Sequence, residues 1–254
     1  MLIGRGTNQL TNILVIGANS AIARAVSRLY AEENARIFLL ARDVEELGRQ
    51  KQDLEIRGAR EVDYALLDVT HFSVHEALIE QSLDMLGSID LAILCHGSLP
   101  DQELCADNFD AALTQFNINA LSTISLLTVL ARHMAMAKKG SIAVITSVAG
   151  DRGRQSNYIY GAAKGMVSLY LEGLRGRLYA SNVHVVDIKP GFVDTPMTHA
   201  FKKGPLWSSP EQVARHIVLA VQRRKHTVYA PAYWRCIMLL IRSIPAFIFK
   251  RLKF

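Results

Sequence analysis

Ser147 lies thirteen residues before Tyr160, and Lys164 follows Tyr160 by four. On a helix, positions four apart share a face, so this phenol and this ammonium can converge. An unperturbed tyrosine has a pKa of ~10 and gives up its proton poorly near neutrality. A lysine cation beside it favours the phenolate and brings the group toward the working range of a general acid/base. A serine hydroxyl can then hydrogen-bond the oxygen whose charge changes as hydride moves. The set suits interconversion of a carbonyl and an alcohol. Alone, the Tyr/Lys pair says little, because such a pair more often marks only a helix with a solvated lysine. Its surroundings give it weight.

Strand-like and helix-like segments alternate along the chain. Strands are predicted at Asn12–Ile16, Arg36–Ala41, Val62–Leu67, Leu91–Cys95, Ser141–Thr146, Val183–Ile188 and Thr227–Ala230. Between them, helices are predicted at Ala21–Glu33, Val44–Ile56, Phe109–Ala137 and around Tyr160. Continuous apolar strands separated by helices argue for a parallel sheet covered on both faces. The expected fold is α/β: one doubly wound Rossmann-type domain, a mostly parallel sheet of about seven strands flanked by helices. It would occupy residues 1–231, with a basic amphipathic tail over 232–254.

Half of the 254 residues are apolar, enough for a substantial core. Cys95, Cys105 and Cys236 show neither disulfide nor zinc spacing, so no metal is expected and the thiols read as reduced, in a cytoplasmic setting. The N-terminal residues contain no apolar run of signal-peptide length. From Arg223 onward there are eight Lys/Arg and no acid, leaving 21 basic against 23 acidic residues elsewhere, a charge of −2. Basicity confined to the tail argues against a nucleic-acid partner.

The turn Gly17-Ala18-Asn19-Ser20-Ala21-Ile22-Ala23 joins the first strand to the first helix, whose N-terminal amides can receive a pyrophosphate. Ala21 and Ala23 stand where a glycine-rich turn would have two more glycines, and at Ala21 the methyl opposes close approach of phosphate. The second strand ends at Ala41 with Arg42 following, rather than in an acid that would oppose a 2′-phosphate. NADP(H) is therefore expected in preference to NAD(H). The alternative is that Arg42 pairs with a carboxylate of the next helix.

In order along residues 10–230, these motifs resemble the short-chain dehydrogenase/reductase family. They are the Gly17 turn, Leu67-Asp68-Val69, Leu94-Cys95-His96-Gly97, Asn119, Ser147, Tyr160/Lys164 and Lys189-Pro190-Gly191-Phe192-Val193-Asp194-Thr195. The resemblance implies an NAD(P)(H) cofactor held by Gly17, Asn19, Ser20, Ala21, Ile22, Arg42, Asp68, Val69 and Gly97. Tyr160, Lys164, Pro190, Gly191, Val193 and Thr195 would complete that site. It implies Tyr160 as proton donor or acceptor, Lys164 as its pKa-lowering neighbour and ribose ligand, and Ser147 as partner of the substrate oxygen. Asn119 would hold a helix bend and a water linking Lys164 to solvent, although Asn117 is a rival for that place. His96 reads as a turn residue rather than a catalyst.

After Thr195, the resemblance implies that Pro196–Trp207 forms a mobile lid, and a loop of this length suits a functional role, with Met197, Phe201, Leu206 and Trp207 as an apolar wall and Lys202 and Lys203 at its rim. Arg152 and Arg154 would add positive charge for an anionic substrate, or be solvated loop residues. Tyr233–Phe249 is seventeen mostly apolar residues, broken by Arg235, Arg242 and Pro245. A helix that long reaches only ~25 Å, short of a ~30 Å hydrocarbon core. It fits a helix lying in a membrane interface over anionic lipid, or else an arm packed on a second subunit. This tail, with Ala149–Gly161, is similar to the decaprenylphosphoryl-2-ketoribose reductases. Those enzymes reduce a 2-keto pentose carried on a lipid phosphate, a precursor of cell-envelope polysaccharide. The resemblance implies an NADPH-dependent ketoreductase, peripheral on the inner membrane face, taking a small-molecule or lipid-linked keto substrate, and a homo-oligomer. A soluble reductase for another ketone or acyl substrate and a non-catalytic nucleotide-binding scaffold remain alternatives.

Overall fold

The computed structural model describes residues 12–252. The N-terminal stretch inspected for a signal sequence and Lys253 of the basic tail lie outside them. In chain order the first half comprises β1 (Asn12–Ile16), α1 (Ala21–Ala31), β2 (Arg36–Ala41), α2 (Val44–Ile56), β3 (Glu61–Leu66), α3 (His75–Leu86), β4 (Leu91–Leu94), α4 (Gln102–Asp107), α5 (Phe109–Phe116) and α6 (Ser122–Ala137). The second half comprises β5 (Ser141–Ile145), α7 (Tyr158–Leu178), β6 (His184–Pro190), β7 (Phe192–Val193), β8 (Trp207–Ser208), α8 (Pro210–Gln222), β9 (Thr227–Ala230), α9 (Tyr233–Ser243) and α10 (Ala246–Phe249).

Seven strands form one all-parallel sheet in the order β3-β2-β1-β4-β5-β6-β9, and β7 and β8 pair separately. Successive side chains of a strand point to opposite faces, so a doubly covered strand must be apolar throughout. In β1, Ile13 and Val15 enter the core beneath α1 and α8, whereas Leu14 and Ile16 enter the one beneath α3, α6 and α7. Local signals set the helix starts. The Asp43 side chain accepts the Glu46 amide ahead of α2, and Ser209 and Gln212 form a reciprocal cap on α8, with Pro210 in its first turn.

Two features of the helices bear on function: a bend at Asn119, which the resemblance implies, and a break in the tail, which departs from the sequence expectation. The long helix over Phe109–Ala137 is interrupted by a π-helical turn at Asn117–Leu121, which re-aims the chain at Asn119. Among the described residues only this stretch is long and apolar enough to cross a bilayer, and half of its most apolar window is buried in the protein. The tail is not one helix. Pro245 has no amide to donate and forces Ile244 into an extended conformation, which separates α9 from α10.

Candidate active site

A cleft of about 600 Å³ opens at the carboxyl ends of the central strands, where open α/β sheets bind ligands. At one end lie Gly17, Asn19, Ser20, Ala21 and Ile22, with Arg42, Asp68 and Val69 across from them. Gly17 has a φ of +79°, and an added Cβ would fall 2.5 Å from the His96 amide nitrogen, so the turn needs glycine there. The first turn of α1 carries no acidic residue, and Ser20 does not cap it with its side chain. Those amides are free for an anion. Ala23 is wholly buried under the sheet, a place where a methyl fits. Asn19 is steadied by Gln50, and Arg42 forms no ion pair among the described residues. The alternative for Arg42, pairing with a carboxylate of α2, is thus not formed. Asp43 is occupied as the helix cap and Glu46 by Arg24 and Arg49. These features fit an adenine dinucleotide, with the cation at the adenosine end.

At the other end the cleft is bordered by Gly97, Ser147, Tyr160, Lys164, Pro190, Gly191, Val193 and Thr195. Ser147 ends the segment after β5, and its Oγ accepts the Ala149 amide at 3.1 Å, leaving its own hydroxyl proton free to donate. Tyr160 sits in the first turn of α7, and its phenol is hydrogen-bonded by Ser147. Lys164, one turn on, is buried and donates to the Ile145 carbonyl at 3.3 Å. Its Nζ stands 5.8 Å from the centroid of the Tyr160 ring. Asn119 does not border the cleft but is buried behind it, where its Oδ1 accepts the Ser98 amide at 3.0 Å. Asn119 Oδ1 and Lys164 Nζ both flank Gly97, 2.9 and 3.2 Å from where a Cβ would be. Asn117 is only half-buried at the start of the π turn.

The electrostatics differ from the simple expectation that Lys164 acidifies Tyr160. Burial pushes the Tyr160 phenol up to about 12, offset in part by its bond with Ser147. Burial pulls Lys164 down to about 8, against the attraction of Cys95 and Asp187. The resting phenol is therefore protonated, a donor rather than a base. His96 is pushed down to about 3 by burial and by Lys164. Its neutral ring hydrogen-bonds Ser122 and Thr123 at 2.9 and 3.0 Å.

A buried polar cluster under the Ser147 segment carries no signal in the sequence. Lys189 pairs with Asp151 at 2.6 Å and with Asp187 at 3.6 Å, the Tyr229 hydroxyl donates to Asp151 at 2.7 Å, and Thr146 donates to Asp187. These bonds pin the segment carrying Ser147 to β6 and β9. Arg152 and Arg154, read as charges for substrate or as solvated loop residues, do neither. Arg152 donates to the Ile241 carbonyl and stacks 3.7 Å above the Phe249 ring, and Arg154 reaches the Met238 sulfur at 3.4 Å. Both hold the tail to the body.

The tail in turn walls the site. Trp234, 3 % exposed, packs with Met238 and Val148, the residue after Ser147. A Cβ on Gly191 would lie 1.9 Å from the Trp234 indole, so the glycine leaves the slot that the ring fills. Phe192 stacks on Trp207 and meets Trp234 edge-on, each at 5.4 Å between centroids. The Tyr233 hydroxyl donates to the Leu206 carbonyl at 3.1 Å, and Lys203 pairs with Asp194 at 2.6 Å. Lid and tail are one joined structure, with Met197 reaching the cleft.

The chain matches the short chain dehydrogenase family over residues 11–205. It is 31 % identical over 240 residues to two uncharacterized oxidoreductases of Mycobacterium tuberculosis, covering 94 % of this chain and 96 % of each of theirs. An uncharacterized oxidoreductase of Streptomyces coelicolor is 29 % identical over 242 residues, 95 % of both chains. The fold is similar to that of a short-chain type dehydrogenase/reductase from Mycobacterium ulcerans, with a TM-score of 0.77 at 21 % identity over 86 % of this chain and 87 % of that one.

Proposed function

Because the chain belongs to the short-chain dehydrogenase/reductase family and is an NAD(P)-dependent short-chain oxidoreductase, we propose that it uses NADPH to reduce the keto group of a polyprenyl-phosphate-linked 2-keto pentose. The observation that carries this reading is Tyr160, beside Ser147 and one helical turn from a buried Lys164, in a cleft walled by an apolar lid and tail. When bound, the reduced nicotinamide supplies a hydride. Ser147 holds the carbonyl oxygen in place, and Tyr160 delivers its proton to that oxygen as the carbonyl carbon becomes a carbinol. Lys164 is placed to restore the phenol's proton, and Asn119 behind it keeps the helix open at the π turn. The tail and lid suit a lipid-borne substrate met at the inner membrane face. A second copy of the chain would pack on the exposed apolar side chains Leu121, Met166 and Leu169.

Three expectations follow from these roles. With vesicles present, the lipid-linked ketopentose should show a kcat/KM at least about tenfold above that of the same sugar phosphate without lipid, given ~0.8 kcal/mol per buried methylene. Equal values, or NADPH left unoxidised by both, would refute the reading. Arg42→Ala should raise the KM for NADPH by roughly tenfold to a hundredfold, the worth of a charge-assisted hydrogen bond, and leave that for NADH unchanged. An equal effect on both cofactors would remove the 2′-phosphate from the account. Reduction needs a protonated Tyr160 and a charged Lys164, and Lys164 loses its proton above a pH of about 8. In a pH profile, kcat/KM should be level through neutrality, without a step near the ordinary histidine range, and fall above about pH 8. A rise through that pH would mean that Tyr160 works as a base.

A further inference from the structure

α9 uses only one side against the body. Trp234 and Met238 are buried and Ile237 and Ile241 half-buried, but Leu239 and Leu240 are 66 % and 70 % exposed. α10 continues this outer surface with Phe247 and Ile248, 63 % and 43 % exposed. The lid contributes exposed Met197, Phe201 and Leu206, and the Tyr233–Leu206 hydrogen bond joins it to the tail. Arg235, Arg242, Lys250 and Arg251 are exposed along the same tail, and no acidic residue follows Glu211 in the chain.

We propose that this lid-and-tail face docks on an anionic lipid bilayer, and that the contact reaches the active site through the Trp207–Phe192–Trp234 stack. It rests on the membrane-surface part of the reading above, and it names the surface and the lipid charge. Exposed leucines and phenylalanine supply the apolar insertion, and the flanking cations supply attraction to anionic headgroups, the two signals a stable interfacial contact needs. The charge pattern disfavours a second copy as occupant. A two-fold contact through this face would set the tail's cations opposite one another, and the acid at the base of the lid, Asp194, is already paired with Lys203. The eleven residues of α9 are too short to span, so the helix lies along the interface. Its inner side fills the slot at Gly191. Any shift of α9 on docking therefore moves the wall of the cleft and the base of the lid together.

The chain has two tryptophans, and both belong to this stack, so tryptophan fluorescence, excited selectively over the eight tyrosines, reports on the junction. The full chain should float with phosphatidylcholine vesicles containing phosphatidylglycerol and not with phosphatidylcholine alone, and salt should release it. Tryptophan emission should change along the same titration. Leu239→Gln/Leu240→Gln should weaken vesicle binding by about tenfold or more and suppress the emission change, with melting curve and NADPH binding unaltered. Arg235→Gln/Arg242→Gln should weaken binding in the same direction and gives an independent reading if the leucine variant does not fold. No flotation, or flotation indifferent to both variants, overturns the docking surface. Binding without a change in emission overturns the link to the site. A leucine variant that becomes monomeric while binding vesicles normally assigns the face to a second copy and also overturns the proposal. None of these readouts needs a ketone, so they stand or fall apart from the reductase activity.

Discussion

Tyr160→Phe is expected to lower kcat for ketone reduction by about a hundredfold to ten-thousandfold, the range that a positioned general acid contributes. That is roughly 3–5 kcal/mol of barrier, from the loss of one oxygen. The reason lies in the surroundings of the phenol. Its burial keeps it protonated, Ser147 orients it, and Asn119, Cys95 and His96 are all committed elsewhere or neutral. Lys164, the other proton donor bordering this end of the cleft, is held by the Ile145 carbonyl. The lost Ser147 bond should cost only about 1 kcal/mol of stability, so the variant should fold and still bind NADPH. Ser147→Ala should be less damaging, because it removes an orienting group and leaves the proton source. Steady-state rates beside cofactor titrations check this. A variant keeping a tenth of the wild-type rate would show that the proton comes from another group.

Lys189→Met should have the largest effect on stability. It leaves Asp151 and Asp187 buried near one another without the cation that both contact. Breaking a buried ion pair from one side costs about 3–5 kcal/mol. At ~2–4 °C per kcal/mol for a chain of this size, the melting temperature should fall by roughly 6–20 °C. The deficit should shrink as pH is lowered, since protonating Asp187 removes one of the two unpaired charges. The sign follows from Asp187, whose carboxyl burial already raises even with Lys189 present. Thermal melts across pH test this. A melting temperature within about 2 °C of wild type at neutral pH would mean that water reaches the cluster and the pair is not buried in solution.

Much of the fold was legible in the sequence because local and global signals agree. β1, β2 and β9 run over the predicted residues, since apolar runs bounded by turn residues leave little choice. α2 also matches end to end, with Asp43 capping it and Gly58 at +103° just beyond it. The bend at Asn119 was legible only through the family resemblance, since Phe-Asn-Ile-Asn-Ala contains no helix breaker. It is set by Asn119 reaching the Ser98 backbone, a contact between distant parts of the chain.

The candidate site was legible where spacing carries it and opaque where tertiary partners do. Tyr160 and Lys164 are bound to one helix face, so their approach could be read directly. Arg152 and Arg154 were read as substrate or solvent charges because their partners, Ile241 and Met238, lie 89 and 84 residues away. Trp234 falls in the stretch read as an interfacial helix or a subunit arm, yet it is buried, because the missing side chain of Gly191 makes room for it. The direction of the Tyr160 shift was missed for a related reason. The spacing places an ammonium nearby but cannot reveal that both groups lose water together.

The most direct test of the central claim follows a labelled hydride. The protein is mixed with NADPH carrying deuterium at the transferable position and with a lipid-linked 2-keto pentose, and the product is read by mass spectrometry. Wild type should place one deuterium on the new carbinol carbon, and Tyr160→Phe, folded and holding cofactor, should place almost none in the same time. Bound cofactor with no label passed to this or any other ketone would contradict the account and leave a nucleotide-binding protein without turnover.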